Sequence, residues 1–355
     1  MPLWALLIPI AGIALLVVTL ALPVGAVLAI ACVAALTGSV IAAVHHAEVV
    51  AHRVGEPFGT LVLSLAITII EVALIVSMML TDAAAKATLP RDTVFSAVMI
   101  ICNGVVGLCL LVGGLRHYEQ SFHVEGANTG LATLIALTTL TLVLPAFTTS
   151  SPGPTYTGAQ LTFAAFASLL LWATFVFVQT MRHRDYFLPV NNPADELVHA
   201  VPPSTRLAWA SCGLLLVALV AVVGLAKALS PSIEAAMAAA GAPKSAIGIA
   251  IAMLVLLPET WAAVRAARAN RLQTSLNLAF GSALASIGLT IPAVAVASVW
   301  VGVSLTLGLD AKDLVLLALS FIVASITLIS GRTHVMQGAV HLAIFAAFVF
   351  FALVP

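Results

Sequence analysis

The chain has 355 residues, 62% of them apolar and only 8% charged, and its mean hydropathy is +1.17. This composition lies far outside that of soluble globular domains and is typical of an integral membrane protein. The formal net charge is zero and no run of like charges occurs, which argues against a nucleic-acid-binding surface and against a polybasic lipid-binding patch.

Apolar runs long enough to cross a membrane follow one another along the whole chain. A span needs about 20 mainly apolar residues, and the runs lack the alternation of a membrane β-barrel, so we expect helices. The predicted spans cover residues 3–20, 23–44, 58–81, 93–115, 126–147, 160–181, 206–229, 246–264, 276–302, 312–330 and 335–354.

The longest break between spans, "RHRDYFLPVNNPADELVHAVPPSTR", is rich in Pro, Asn and charge. If residues 1–22 form an extra N-terminal helix, five spans precede this break (23–181) and five follow it (206–355), with 182–205 as a linker. An odd number of spans per half gives the halves opposite orientations, as in many secondary transporters. The expected fold is an all-α integral membrane protein of about eleven transmembrane helices, with two inverted five-helix repeats.

The basic residues predict the orientation of the chain. Nine of them lie on the side of the N-terminus and the central linker, which the positive-inside rule assigns to the cytoplasm, and five lie on the opposite side. We therefore expect a multi-pass membrane protein with a cytoplasmic N-terminus. The nine are Arg53, Arg116, Arg182, Arg184, Arg206, Arg265, Arg268, Arg271 and Arg332, and the five are Lys86, Arg91, Lys227, Lys244 and Lys312.

Two of the fourteen acidic residues, Glu71 and Glu259, lie well inside predicted spans, whereas the other twelve lie in loops or at span ends. Each is about thirteen residues into its span, or about 20 Å, which is near the middle of a hydrocarbon core about 30 Å thick. Both spans are the second of their halves, so we expect the two carboxylates to meet. An ionised group at this depth costs about 3 kcal/mol on insertion scales, and such residues usually mark a functional site.

A shared pair of carboxylates predicts ion exchange. Burial favours the protonated acid, whereas an arriving cation favours the ionised form, so the pair binds either a cation or protons. Thr68, Asn103, Ser282, Ser286 and a carbonyl released by Pro258 could add oxygen ligands. Taken alone, each of these polar residues is more simply explained as a helix-packing contact than as a ligand.

Three stretches, "GEPFGTLVLSLAITIIEVALIVSMML", "RDTVFSAVMIICNGVVGLCLLVGGLRHYEQ" and "LPETWAAVRAARANRLQTSLNLAFGSALASIGLTIPAV", carry a family resemblance. They resemble the two alpha-repeats of the cation/proton exchangers in the calcium/cation antiporter superfamily. The likeness is closest to the bacterial ChaA-type branch of sodium, potassium or calcium/proton antiporters. It extends over nearly the whole chain and implies a protein of a bacterial plasma membrane.

The resemblance assigns roles to particular residues. The family's repeat carries G-N-A-x-E followed by a helix with G-S, and Glu71 and Glu259 occupy its acidic positions. Gly281 and Ser282 match the G-S pair of the second repeat, and Asn103 matches an Asn late in the first. These correspondences imply that the two glutamates bind cation and protons.

The sequence also departs from the family pattern. Thr68 and Leu256 stand where the repeats carry Asn, which removes oxygen ligands and favours a wider ion range that includes sodium or potassium. The linker is poorly matched to the acidic helix of calcium exchangers, because its only acids are Asp185, Asp195 and Glu196.

The predicted function is a secondary cation/proton antiporter that exports a cation by alternating access and requires no cofactor. Its expected partners are the lipid bilayer, Ca²⁺, Na⁺ or K⁺, and protons. A cation channel is the nearest alternative, because acidic residues also select cations in pores, and an intramembrane hydrolase is a more distant one. His45, His46 and His52 are predicted in a solvated loop after the second span, with cytoplasmic pH or cation sensing as the alternative.

Overall fold

The computed structural model describes residues 1–55, 58–79, 87–188, 203–239, 241, 243 and 245–354. In chain order its main elements are α1 (Leu3–Ala21), α2 (Ala26–Val54), α3 (Phe58–Met79), α4 (Leu89–Met99), α5 (Val106–His117), β1 (Gln120–Ser121), α6 (Val124–Thr138), α7 (Gly158–Phe177), α8 (Thr205–Ala239), α9 (Ser245–Arg268), α10 (Leu272–Val301), α11 (Ala311–Ile329), β2 (Arg332–Thr333) and α12 (Val335–Leu353). A π turn, Ile100–Val105, joins α4 to α5, and two more, Thr139–Val143 and Val178–Arg182, extend α6 and α7.

The all-α membrane architecture expected from the composition is confirmed. In the described part of the chain, nine helices are long and apolar enough to cross a membrane, and the bent α9 makes a tenth if it is one span. Helix α3 is apolar too, but its segment Leu65–Met79 is shorter than a span. The count of eleven stays a prediction, although every predicted span overlaps one of these helical segments.

Helices α1, α2, α3 and α8 form one compact unit. Helix α8 packs against α1 and α2, and small residues allow a close approach. A Cβ added to Gly12 would lie 2.6 Å from Ser39 Oγ and 3.0 Å from Ala221 Cβ, and one added to Gly224 would lie 2.4 Å from Leu16 Cδ2. The predicted extra N-terminal helix is thus an integral part of this unit.

The other helices form the second unit, which is centred on α10. Helix α10 packs against α4, α5, α6, α7 and α9. Residues 282–287 are six consecutive buried positions, so α10 is enclosed on every side of this segment. A helix with apolar residues all round is stable only in such a position.

A short antiparallel ribbon, which sequence analysis missed, joins two helix connections of the second unit. Gln120–Ser121 pairs with Arg332–Thr333. The Gln120 side chain extends the link, because its Nε2 donates to the Ala267 carbonyl at 2.9 Å and to Asn270 Oδ1 at 3.0 Å. The ribbon and this amide therefore tie the ends of α5, α9 and α11 together.

The predicted loop around His45, His46 and His52 is wrong, because all three residues lie within α2. The helix continues past the apolar run and stops only at Gly55, whose φ of 78° suits glycine. His46 is fully buried, and its Nε2 lies 2.8 Å from the Ala5 carbonyl of α1. Helix α2 continues beyond its apolar run because the residues that follow include Ala, Glu and Arg, which are good helix formers. The three histidines are therefore helical.

The division into repeats 23–181 and 206–355 stays a prediction. The two compact units divide the chain differently, because the first combines α1–α3 with α8. Of the predicted linker, a 3₁₀ turn at Arg184–Phe187 and the start of α8 at Thr205 belong to the described chain, whereas residues 189–202 lie outside it.

Candidate ion-binding site

Glu71 lies on the enclosed face of α3. Its exposed fraction is 5% and that of Thr68, one turn earlier, is 4%, whereas Leu65 and Ile69 are 47% and 45% exposed. Residues three or four apart are neighbours on a helix surface, so Thr68 and Glu71 are adjacent, and their burial places both of them on the enclosed side of α3. A lipid-facing position for Glu71, which would remove it as a site residue, is not observed.

Glu259 lies in α9, just after a bend. The segments Gly248–Leu257 and Glu259–Arg268 are inclined by 52°, and the break coincides with Pro258. Proline supplies no N–H to the carbonyl four residues earlier, and its ring disfavours a straight helix. Glu259 is therefore the first residue of the second helical segment, directly after the bend.

Ser282 of the neighbouring α10 donates a hydrogen bond to Glu259 Oε2. The glutamate is half-buried, whereas Ser282 and Ser286 are 6% and 3% exposed. Positions 282 and 286 are four apart and share one face of α10. Helices α9 and α10 pack together, and Ser286 is a buried hydroxyl residue on the same face of α10 as the serine that contacts Glu259.

Asn103 lies in the π turn between α4 and α5, where it is fully buried. Its Nδ2 donates to Ser320 Oγ at 2.8 Å, and its Oδ1 is 3.4 Å from His341 Nδ1. The amide is thus hydrogen-bonded to α11 and α12. Asn103 is predicted from the sequence as a possible ligand, whereas Ser320 and His341 carry no sequence signal that would place them beside it.

The predicted site residues fall into two groups. Glu71 and Thr68 belong to the first unit, and Glu259, Ser282, Ser286 and Asn103 belong to the second. Of these, the structure brings Ser282 to Glu259 by a hydrogen bond. The meeting of the two glutamates, and the role of each residue as an ion ligand, stay predictions.

A second polar group, which sequence analysis treated only as span ends, surrounds a small cavity of the second unit. The cavity is lined by Asp92, Asp313 and Lys312 together with apolar residues of α4, α9 and α12. Arg91 Nε donates to Asp92 Oδ1 at 2.9 Å, and Lys312 Nζ donates to the Phe351 carbonyl at 2.9 Å. The acidic charge here is balanced by neighbouring basic side chains.

The oxygen chemistry of the candidate site suits a transported hard cation better than a resident transition metal. Carboxylate and hydroxyl oxygens are the preferred ligands of alkali and alkaline-earth ions. Within the described ranges, no three His, Cys, Asp or Glu side chains cluster as metal ligands.

Comparison with known proteins adds independent information. The family model described as sodium/calcium exchanger protein matches residues 4–181 and 210–354. The chain belongs to the sodium/calcium exchanger protein family. It is 48% identical over 361 residues to y4hA of Sinorhizobium fredii, by name an ionic transporter, with 100% of this chain and 97% of that protein covered. It is 36% identical over 313 residues to the sodium-potassium/proton antiporter ChaA of Escherichia coli, with 87% and 84% covered.

A solved structure supports the fold assignment. The chain superimposes on the H⁺/Ca²⁺ exchanger CAX with a TM-score of 0.72 and 16% sequence identity, covering 96% of this chain and 87% of that one. The resemblance to cation/proton exchangers is therefore confirmed at the level of family and fold. Membership in the sodium/calcium exchanger family also confirms a multi-pass antiporter and excludes an enzyme.

Proposed function

We propose that this member of the exchanger family is a cation/proton antiporter that uses Glu71 and Glu259 to bind either cation or protons. The observation that supports the proposal is the hydrogen bond between Glu259 and a hydroxyl of a neighbouring helix, together with a buried hydroxyl residue one turn before Glu71. Thr68 lies one turn before Glu71 on the same enclosed face, and Ser282 donates to Glu259. Two such pairs supply charge and neutral oxygen to one ion.

The Ser282 hydroxyl suits both states of Glu259. It donates to Glu259 Oε2 in the structure, a bond that stabilises an ionised carboxylate, and when the acid is protonated the hydroxyl can rotate and accept instead. A bound cation replaces the proton and draws on the serine lone pair. The pair therefore exchanges one positive species for the other without an unpaired buried charge.

Alternating access follows if the two carboxylates share one cavity near the membrane midplane. In inverted-repeat transporters, rocking of one half against the other opens a central site to one side at a time. We propose that protons enter the cell as cation leaves it, with the N-terminus in the cytoplasm of a bacterial plasma membrane. The excess of Arg and Lys on that predicted side supports this orientation.

The cargo is Na⁺, K⁺ or Ca²⁺. Ca²⁺ prefers six to eight oxygen ligands, and the replacement of two family asparagines by Thr68 and Leu256 reduces the number available. The named cargo of the relative ChaA, sodium and potassium, agrees with a site that accepts monovalent ions. We therefore propose that monovalent cations are transported, with calcium as a further substrate.

The proposal is tested by cation-induced dissipation of a pH gradient in everted membrane vesicles. Na⁺, K⁺ and Ca²⁺ are added in turn, and release of the accumulated protons is followed with a fluorescent amine. We expect release in vesicles with the wild-type protein and background release with Glu71→Gln or Glu259→Gln, because the neutral amide cannot exchange a proton for a cation.

Glu119→Gln is the matched control. Glu119 is exposed, and its carboxylate forms a surface ion pair with Arg332 at 3.2 Å, so the same chemical change should leave exchange intact. Normal exchange by both Gln variants at positions 71 and 259, at equal membrane abundance, would refute the proposed roles. Cation flux that persists without a pH gradient and follows only the membrane potential would indicate a channel.

A further inference from the structure

The π turn Ile100–Val105 occupies a junction of the second unit. It packs against α9, α10, α11 and α12, and it interrupts the helix that runs from Leu89 to His117. Single π turns inside α-helices are uncommon and are frequent at functional sites. Helices α9 and α10 carry Glu259 and Ser282. A change in the conformation of the π turn would therefore change the packing of the two helices that hold this pair.

A chain of buried hydrogen bonds holds the turn, and its direction can be deduced. The Ser320 hydroxyl donates to the Leu316 carbonyl at 2.7 Å, so Ser320 Oγ accepts from Asn103 Nδ2 at 2.8 Å. Asn103 therefore presents its carbonyl oxygen to His341 Nδ1, 3.4 Å away. An amide oxygen can only accept, so Nδ1 carries the hydrogen.

The other side of the imidazole completes the chain. With the hydrogen on Nδ1, the neutral ring has an acceptor at Nε2, which lies 3.2 Å from Thr327 Oγ1. Thr327 therefore donates to His341. Asn103, Ser320, Thr327 and His341 are all at most 3% exposed, so each hydrogen bond lies in a region without competing water.

Glycines bring His341 close to the turn. A Cβ added to Gly107 of α5 would lie 2.9 Å from His341 Cβ, and one added to Gly338 of α12 would lie 2.4 Å from Leu111 N. Neither glycine can be replaced by a larger residue without a shift of the helices, because the added Cβ would meet a Cβ or a backbone atom, which cannot rotate out of the way. The close contact of α5 with α12 thus directs the imidazole into the π turn.

We propose that His341 is a positioning residue for ion exchange. Through Asn103 it fixes the π turn against α9 and α10, and in this way it sets the cation affinity of the Glu259 and Ser282 pair. The inference rests on the proposed function of that pair. It assigns His341 no part in proton transfer and no contact with the cation.

The test measures the initial rate of exchange against cation concentration, with the wild type, His341→Leu, His341→Asn and Thr327→Val in everted vesicles. We expect His341→Leu to raise KM about tenfold, corresponding to the loss of one or two buried hydrogen bonds, with a maximal rate within about twofold of wild type. His341→Asn keeps an N–H donor near the position of Nδ1, so its KM should return most of the way to wild type.

Thr327→Val keeps the ring and the size of the side chain but removes the donor to Nε2, and we expect KM to rise about threefold. Thr138→Val is the matched control, because the buried Thr138 hydroxyl donates to the Leu134 carbonyl of its own helix, at 2.7 Å. Hydrogen exchange of the purified proteins supplies a second measurement: backbone amides of residues 100–105 should lose protection in His341→Leu and keep it in Thr138→Val.

The outcomes separate the inference from the proposed function. Absence of cation/proton exchange in the wild type would overturn the proposed function. Exchange in the wild type, with KM unchanged in His341→Leu and Thr327→Val, would overturn only the positioning role. If His341→Leu is not inserted, Thr327→Val and His341→Asn decide the question, and a KM for Thr327→Val equal to that of the wild type would again overturn it.

Discussion

The two acidic helices, α3 and α9, present the same type of side chain by different local means. Glu71 has a hydroxyl from its own helix one turn earlier, on a face that is enclosed. Glu259 follows a 52° bend and accepts a hydrogen bond from Ser282 of a neighbouring helix. A mid-helix carboxylate can thus lie beside a hydroxyl of its own helix or beside one of a neighbouring helix.

The largest effect is expected from removing the hydroxyl next to Glu259. Ser282→Ala should raise the KM for cation about tenfold, because a hydrogen bond to a charged group contributes about 1.5–3 kcal/mol. Thr68→Val should raise it less, by about threefold, if the hydroxyl beside Glu71 contributes only a neutral ligand. The rate of exchange in vesicles, measured against cation concentration, gives both values.

Ser298→Ala is the control for this comparison. Ser298 is also a buried residue of α10, and its hydroxyl donates to the Ala295 carbonyl of the same helix at 2.8 Å. The KM of the Ser298→Ala variant for cation should equal that of the wild type. A larger effect for Thr68→Val than for Ser282→Ala would reverse the comparison between the two acids.

A smaller effect is expected from straightening α9. Pro258→Ala restores an N–H donor at the bend, and we expect the maximal rate to fall about threefold, or about 0.7 kcal/mol in barrier height, while the protein remains at least as stable to heat. The substitution moves Glu259 relative to Ser282 without changing either side chain. Maximal exchange rates and thermal unfolding of the purified protein measure the two quantities.

Pro231 provides the matched control, because it also lies inside a helix, α8, but at an exposed position. Pro231→Ala should leave exchange unchanged. If Pro258→Ala also exchanges at the wild-type rate, the bend in α9 has no role in transport, and the difference between the two acidic helices is limited to their hydroxyl partners.

Much of the fold could be predicted from the sequence because each membrane span requires a long apolar run. The same rule failed where helices extend beyond those runs, as at His45, His46 and His52, which helix-forming neighbours keep in α2. The two-residue ribbon of Gln120–Ser121 with Arg332–Thr333 has no strand pattern. It forms because two helix connections lie side by side, which a local pattern does not report.

The candidate site was partly visible in the sequence for a similar reason. An acid inside an apolar run is conspicuous, so Glu71 and Glu259 could be singled out, and Ser282 was found at a spacing that the family resemblance supplied. The partners of Asn103 could not be found, because Ser320 and His341 are more than 200 residues away along the chain, at separations of 217 and 238. Only packing of α11 and α12 on the π turn brings them together.

The central claim is that Glu71 and Glu259 hold protons that a cation displaces. Proton release on addition of Na⁺, K⁺ or Ca²⁺ to the purified protein in weakly buffered detergent solution measures this directly. The account predicts release from the wild type, less from either single Gln variant, and none from the variant that combines Glu71→Gln with Glu259→Gln. Cation binding by the wild type without proton release, or undiminished release from the combined variant, would contradict it.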